Sequence, residues 1–138
     1  MKEFDELLSV VNRLFSPEGC PWDKQQTLQS MKKYILLEAQ EVVEAIDEGD
    51  RDHILEEIGD LAIHLISLSL IAKKDGLFSL ADPLICAKEK LIRRHPHVFS
   101  GLKVNSVEDV LINWEKIKKA EKNKENKPLK NLCLQSEK

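Results

Sequence analysis

The chain has 138 residues, of which 33% are charged and 5% are aromatic, and its formal net charge is −3. This length suits one domain with a sizeable core, and the composition is typical of a helical globular protein, not of a β-sandwich or a disordered chain. The slight negative charge argues against a protein that coats nucleic acid through its overall field, so no nucleic-acid polymer is expected as a partner.

The spacing of apolar residues predicts two helices in the first third of the chain. The first covers about residues 4–15 and ends before Pro17. The segment SPEGCPWDKQQT then reads as a loop rich in Pro and Gly. Asp23, with Gln26 three residues later, is the predicted N-cap of a second helix, which ends at Gly49.

Three further helices follow. The third begins after Asp50 and covers residues 51–74, and the fourth starts at Pro83 and breaks at Pro96. The fifth is capped by Ser106. Since no strand pattern appears, the predicted fold is all-α, an antiparallel bundle of about five helices.

The predicted domain organisation is one helical domain over residues 1–122 and a flexible polar tail over 123–138. The N-terminus lacks the features of a signal peptide, and the run 61–72 is too short to span a bilayer, so a cytoplasmic protein without membrane contact is expected. Residues 61–71 are apolar nearly all round, which predicts a homodimer formed through the helix 51–74.

Four carboxylates lie inside the apolar sectors of the second and third helices. Glu38 and Glu41 are three residues apart, and so are Glu57 and Asp60. At about 100° per residue, both pairs point toward the packed face of their helix, and helices joined by a tight turn are antiparallel. The two pairs are therefore predicted to face each other.

Four carboxylates in a partly dry groove need a counter-charge, and a divalent cation supplies it directly. Ligands that are all oxygen favour Mg²⁺, with Mn²⁺ as the alternative, whereas a di-iron bundle would carry Glu-x-x-His. The competing interpretation is a solvated seam in which the same acids pair with lysines. Two pairs on adjacent helices favour the metal.

Basic residues are available for a phosphate ligand in the fourth and fifth helices. Arg93 and Arg94 lie near the end of the fourth, and Trp114 on the fifth could stack on a nucleobase. The alternative roles are a favourable interaction with a helix dipole for the cations and core packing for the tryptophan. No glycine-rich phosphate loop is present, so phosphate binding would depend on metal and side chains.

Five sequence blocks, in this order, resemble the MazG nucleoside triphosphate pyrophosphohydrolases. They are CPWDKQQT at 20–27, the two carboxylate pairs Glu38/Glu41 and Glu57/Asp60, GLF at 76–78, KLIRRHPHVF at 90–99 and NWEKIKKAEK at 113–122. The resemblance implies an all-α, dimeric, Mg²⁺-dependent enzyme. Such an enzyme hydrolyses nucleoside triphosphates to monophosphate and pyrophosphate, with a role in removing unwanted nucleotides.

The resemblance also implies roles for particular residues. The four carboxylates would be the metal ligands and the catalytic residues. The nucleotide would be contacted by Lys90, Arg94, Trp114 and Lys118, with Trp22 and Lys24 close to the site.

One position departs from the family pattern Glu-Glu-x-x-Glu, because Leu37 stands where the first Glu is common. This departure keeps an alternative function open, a helical dimer that binds a nucleotide or a partner protein without turnover.

Overall fold

The computed structural model describes residues 1–124, and these are helical with no strand. The all-α prediction is confirmed. The described residues form seven helices instead of about five, in two compact units, Met1–Leu80 and the described residues from Ala81 onward. The helices are α1 (Lys2–Leu14), α2 (Pro21–Gln25), α3 (Leu28–Glu48), α4 (Arg51–Lys74), α5 (Ala81–Arg94), α6 (Pro96–Phe99) and α7 (Val107–Lys124).

The start of the second predicted helix differs from the expectation. Pro21 opens the short helix α2, in which Asp23 is an internal residue, and Gln26 is extended with φ −67° and ψ 146°. Thr27 is the N-cap of α3: its Oγ1 accepts from the Ser30 backbone N–H at 3.1 Å, and the Ser30 hydroxyl accepts from the Thr27 N–H at 3.0 Å. The predicted Asp23 cap is wrong because this reciprocal pair satisfies two backbone donors of α3.

The helices α3 and α4 form an antiparallel hairpin, as predicted. Gly49 ends α3 in the left-handed conformation, with φ 72°, which glycine adopts without steric cost. Asp50 caps α4 by accepting from the backbone N–H of Asp52 at 2.9 Å and of His53 at 3.2 Å. The two helices pack against each other after a turn of only two residues.

The core of the first unit lies where α3 and α1 pack on α4. Two buried polar residues of α4 are satisfied locally, since the hydroxyls of Ser67 and Ser69 donate to the carbonyls of Ile63 and Leu65. The buried apolar side chains are Val11, Met31, Ala45, Ile66, Ile71 and Ala72.

Most side chains of the run 61–71 are buried or half-buried by other parts of the chain. Leu65 is the exception, at 51% exposed. Large apolar side chains are nevertheless exposed elsewhere on the hairpin. We name this set the apolar surface of the hairpin: Leu36, Val43 and Ile46 on α3, and Leu55, Ile58 and Leu65 on α4.

In the second unit, α5 packs against α6 and α7. Helix α5 begins at Ala81, two residues before the predicted Pro83, and Pro96 ends it by opening the one-turn helix α6. The predicted cap of α7 is confirmed, because the Ser106 hydroxyl accepts from the Asp109 N–H at 3.1 Å.

Helix α7 continues to Lys124, so it includes the first two residues of the predicted tail. The rest of that tail, 125–138, lies outside the described residues, and the division at 122 stays a prediction. Within residues 1–124, no helix combines the length and the apolar character needed to cross a bilayer.

Candidate metal centre

Three of the four predicted carboxylates come together between α3 and α4. Each of Glu38, Glu41 and Glu57 has an oxygen within 4.8 Å of the corresponding oxygens of the other two. The side chains of Glu38 and Glu57 are each only 12% exposed. Carboxylate oxygens are the ligands of hard divalent cations, so these three residues could hold a metal ion.

Burial and like charges perturb Glu38 in particular. Burial is the largest cause that raises the pKa of the Glu38 carboxyl above its usual value, and the charges of Glu41, Asp60 and Glu57 raise it further, while His64 opposes them. Asp60 thus acts on Glu38 electrostatically, although it is not a member of the group of three. The cluster is therefore short of positive charge, which a cation would supply.

An aromatic column leads from α2 to Glu38. Trp22, which is 50% exposed, contacts Tyr34 edge-on with ring centroids 5.5 Å apart. Tyr34 in turn stacks on His64 at 6.0 Å. His64 Nδ1 lies 2.9 Å from the carbonyl oxygen of Asp60 and 3.7 Å from Glu38 Oε1. Tyr34 and His64 thus lie between the Trp22 ring and Glu38, and a role for Trp22 at the site stays a prediction.

His53 joins the cluster from the α3–α4 turn. Its Nδ1 lies 2.8 Å from Glu48 Oε2, and its Nε2 lies 3.2 Å from Glu57 Oε1. The hydrogen bond with Glu48 is the largest cause that raises the pKa of His53. Sequence reasoning assigned no role to His53 or His64, although the spacing of four from His53 to Glu57 and from Asp60 to His64 was a usable signal.

Lys24 has a different local environment. Its ammonium donates to the carbonyl oxygen of Pro17 at 2.6 Å, and its own carbonyl accepts from Lys74 at 3.1 Å. Lys24 also lines a cavity of about 560 Å³, and none of the four carboxylates lines that cavity. The cavity is lined by Asn12, Phe15, Ser16, Pro17, Lys24, Leu70, Lys73 and Lys74.

The remaining predicted site residues belong to the second unit. Arg94 lies over the Trp114 ring, 5.3 Å from its centroid, and its guanidinium donates to Glu121 at 2.6 Å. Arg93 donates to the other oxygen of Glu121 at 2.6 Å. These hydrogen bonds lower the pKa of Glu121, and the bond from Arg94 is the largest cause. His95 contacts the Trp114 ring edge-on at 5.0 Å.

Two lysines of this unit are the other predicted nucleotide contacts. Lys90 is exposed on α5. Lys118 donates to Glu115 at 3.0 Å, one turn earlier on α7. Glu121 contacts both arginines but was not predicted from the sequence. It lies 28 positions after Arg93 and 27 after Arg94, so no helical spacing connects them.

Comparison with known protein families shows to which family the chain belongs. Residues 26–99 match the family described as the MazG nucleotide pyrophosphohydrolase domain. The chain belongs to the MazG family. The match includes Glu38, Glu41, Glu57 and Asp60, so all four carboxylates lie within the MazG domain.

Several relatives resemble this MazG chain over 88% of its length. It is 49% identical to the Bacillus subtilis protein named uncharacterized protein YabN, of which it covers 25%. It is 44% identical to the Thermotoga maritima nucleoside triphosphate pyrophosphohydrolase/pyrophosphatase MazG, of which it covers 46%. It is 40% identical to the Escherichia coli nucleoside triphosphate pyrophosphohydrolase, of which it covers 47%.

A solved structure supports the MazG fold directly. The crystal structure of a mazG-related protein from Thermotoga maritima aligns with a TM-score of 0.72 at 29% identity. The alignment covers 83% of this chain and 98% of that one. By contrast, the chain spans between a quarter and about half the length of the curated relatives it matches.

Proposed function

We propose that this MazG domain hydrolyses nucleoside triphosphates to a nucleoside monophosphate and pyrophosphate, with Mg²⁺ as cofactor and Mn²⁺ as the alternative. The observation that carries the proposal is the meeting of Glu38, Glu41 and Glu57 within 4.8 Å, inside the matched domain. Asp60 is proposed as the fourth ligand from the resemblance to the family, and its charge raises the pKa of the neighbouring Glu38.

In this proposal the bond between the α- and β-phosphates breaks after attack by water. A bound divalent cation would neutralise charge on the phosphates and on the pyrophosphate leaving group. The carboxylates hold the cation, and one of them takes a proton from the attacking water.

The proposed nucleotide contacts rest on the resemblance to the family. Arg94 and Trp114 form a cation–π pair, which offers a charged group beside an aromatic face. Lys90 and Lys118 are proposed as phosphate contacts, and Trp22 as a contact near the carboxylates. A contact from the Lys24 ammonium requires it to leave the Pro17 carbonyl.

A panel of nucleotides with resolved products tests the function. Purified protein is incubated with each normal, deoxy and modified nucleoside triphosphate plus Mg²⁺, and the products are separated by ion-exchange chromatography. We expect pyrophosphate and the monophosphate in equal amounts. Faster turnover of modified than of normal nucleotides would support a role in removing unwanted nucleotides, and release of orthophosphate would contradict the proposed reaction.

The alternative is a domain that binds a nucleotide or a partner protein without turnover. Leu37, in the position where the family commonly has Glu, favours it, and this side chain is 51% exposed. Thermal stabilisation by a nucleotide and Mg²⁺ with no product formed would support the alternative.

We also propose a homodimer formed through α4 and the apolar surface of the hairpin. Exposed apolar patches of this kind are typical of interaction surfaces. Leu55→Glu should convert a dimer to a monomer, because it places a charge in the proposed interface. Light scattering at micromolar concentration measures the mass. Leu111→Glu in the second unit is the matched control, since Leu111 is 60% and Leu55 62% exposed; a monomeric wild type would contradict the proposal.

A further inference from the structure

A chain of polar contacts crosses the turn between α3 and α4. Glu48 is the last residue of α3, and His53 lies in the first turn of α4. The His53 ring bridges Glu48 Oε2, 2.8 Å from Nδ1, and Glu57 Oε1, 3.2 Å from Nε2. The contact with Glu48 is a hydrogen bond, and the contact with Glu57 is an ion-pair contact that carries charge when the ring is protonated.

We propose that Glu48 and His53 form a relay that positions Glu57 for cation binding. His53 is the positioning residue, and Glu48 acts through it by orienting the imidazole. This inference rests on the proposed metal centre and adds two residues to it, neither of which is a proposed ligand.

The position of Glu57 explains why such a relay matters. The Glu57 side chain is 12% exposed and lies in the cluster with Glu38 and Glu41, so repulsion from those carboxylates acts on a group with little water around it. A carboxylate has two oxygens, and one can accept from an imidazole while the other serves a cation. Contacts from a neighbouring polar side chain orient a ligating residue in this way.

The exposure of the outer residues argues against a role in stability alone. The side chains of His53 and Glu48 are 35% and 60% exposed, and ion pairs at the surface contribute little to folding. Orientation of Glu57 is therefore the main effect that we expect of the pair.

A double-mutant cycle on the full chain tests the relay. The dissociation constant for Mn²⁺ alone is measured from the electron paramagnetic resonance signal of the free ion, at one pH, for the wild type, Glu48→Ala, His53→Ala and the double variant. His53→Ala should weaken Mn²⁺ binding about tenfold or more. Glu48→Ala should weaken it less, and the double variant should bind as His53→Ala does, because Glu48 acts through His53.

Two further variants separate positioning from other roles. His53→Gln keeps an N–H donor for Glu57 and should recover part of the lost affinity, and Glu48→Ala should have no added effect in that background. Asp47→Ala, an exposed acid next to Glu48, is the matched control and should bind Mn²⁺ as the wild type does.

The outcomes distinguish this inference from the proposed function. Unchanged or tighter Mn²⁺ binding in His53→Ala, or independent effects of the two alanine substitutions, overturns the relay alone. A wild type that does not bind Mn²⁺ overturns the metal centre and the relay with it. A loss of stability toward urea with unchanged Mn²⁺ affinity shows that the pair is structural, and this also overturns the relay.

Discussion

Glu41→Gln should slow turnover strongly and raise the stability of the metal-free protein at the same time. The Glu41 carboxylate lies within 4.8 Å of those of Glu38 and Glu57, and one such repulsion is about 3–4 kcal/mol at an effective dielectric of about 20. The cluster is partly open to water, so we expect a measured gain on the order of 1 kcal/mol. Loss of several kcal/mol of charge stabilisation should slow turnover at least about a hundredfold.

The measurement is thermal unfolding with and without Mg²⁺, together with the rate of pyrophosphate release. Mg²⁺ should raise the melting temperature of the wild type and raise that of Glu41→Gln much less, because a ligand stabilises only the state that binds it. Glu44→Gln is the matched control, since Glu44 is exposed on the same helix and accepts from Gln40. Equal shifts with Mg²⁺ in all three proteins would support the solvated seam instead of a metal centre.

Glu121→Gln should destabilise the second unit strongly. Glu121 is 10% exposed and accepts from Arg93 and Arg94, so its neutralisation leaves two arginines without their shared carboxylate. Breaking a buried pair costs about 3–5 kcal/mol, and we expect about 2–4 kcal/mol here because the Arg93 side chain is 41% exposed. Urea unfolding followed by circular dichroism at pH 7 measures the loss.

The same ion pairs should make the folding stability of the second unit depend on pH. The pKa of Glu121 is lowered in the folded state, so its contribution to stability is present above the unfolded value of about 4.3 and is lost as the pH falls through the lowered folded value. Glu121→Gln should therefore lose part of the stability difference between pH 6 and pH 3. Glu115→Gln, in the exposed pair with Lys118 on the same helix, is the control and should unfold as the wild type does. An unchanged acid profile in Glu121→Gln would contradict this account.

Helical periodicity was sufficient to predict α3 and α4, because both are long and each presents a continuous packed face. It also placed Glu38, Glu41 and Glu57 on that face, where the structure brings them together. Helices α2 and α6 were not predicted because five and four residues are too few to show a period, and each is opened by a proline.

The contacts that were missed depend on tertiary geometry. The contact of His53 with Glu48 crosses a turn, and its distance depends on how Gly49 and Asp50 direct the chain. The pairing of Arg94 with Glu121 depends on the packing of α5 against α7. Periodicity describes one helix at a time, so neither contact follows from it.

The chain contains two tryptophans, and the structure places one in each compact unit. Trp22 contacts Tyr34 in the first unit, and Trp114 contacts His95 in the second. Each unit therefore carries its own fluorescent probe. In Trp22→Phe the remaining tryptophan emission reports on the second unit, and in Trp114→Phe it reports on the first. Coincident unfolding of the two signals identifies one cooperative domain, whereas two separate midpoints identify units that unfold independently.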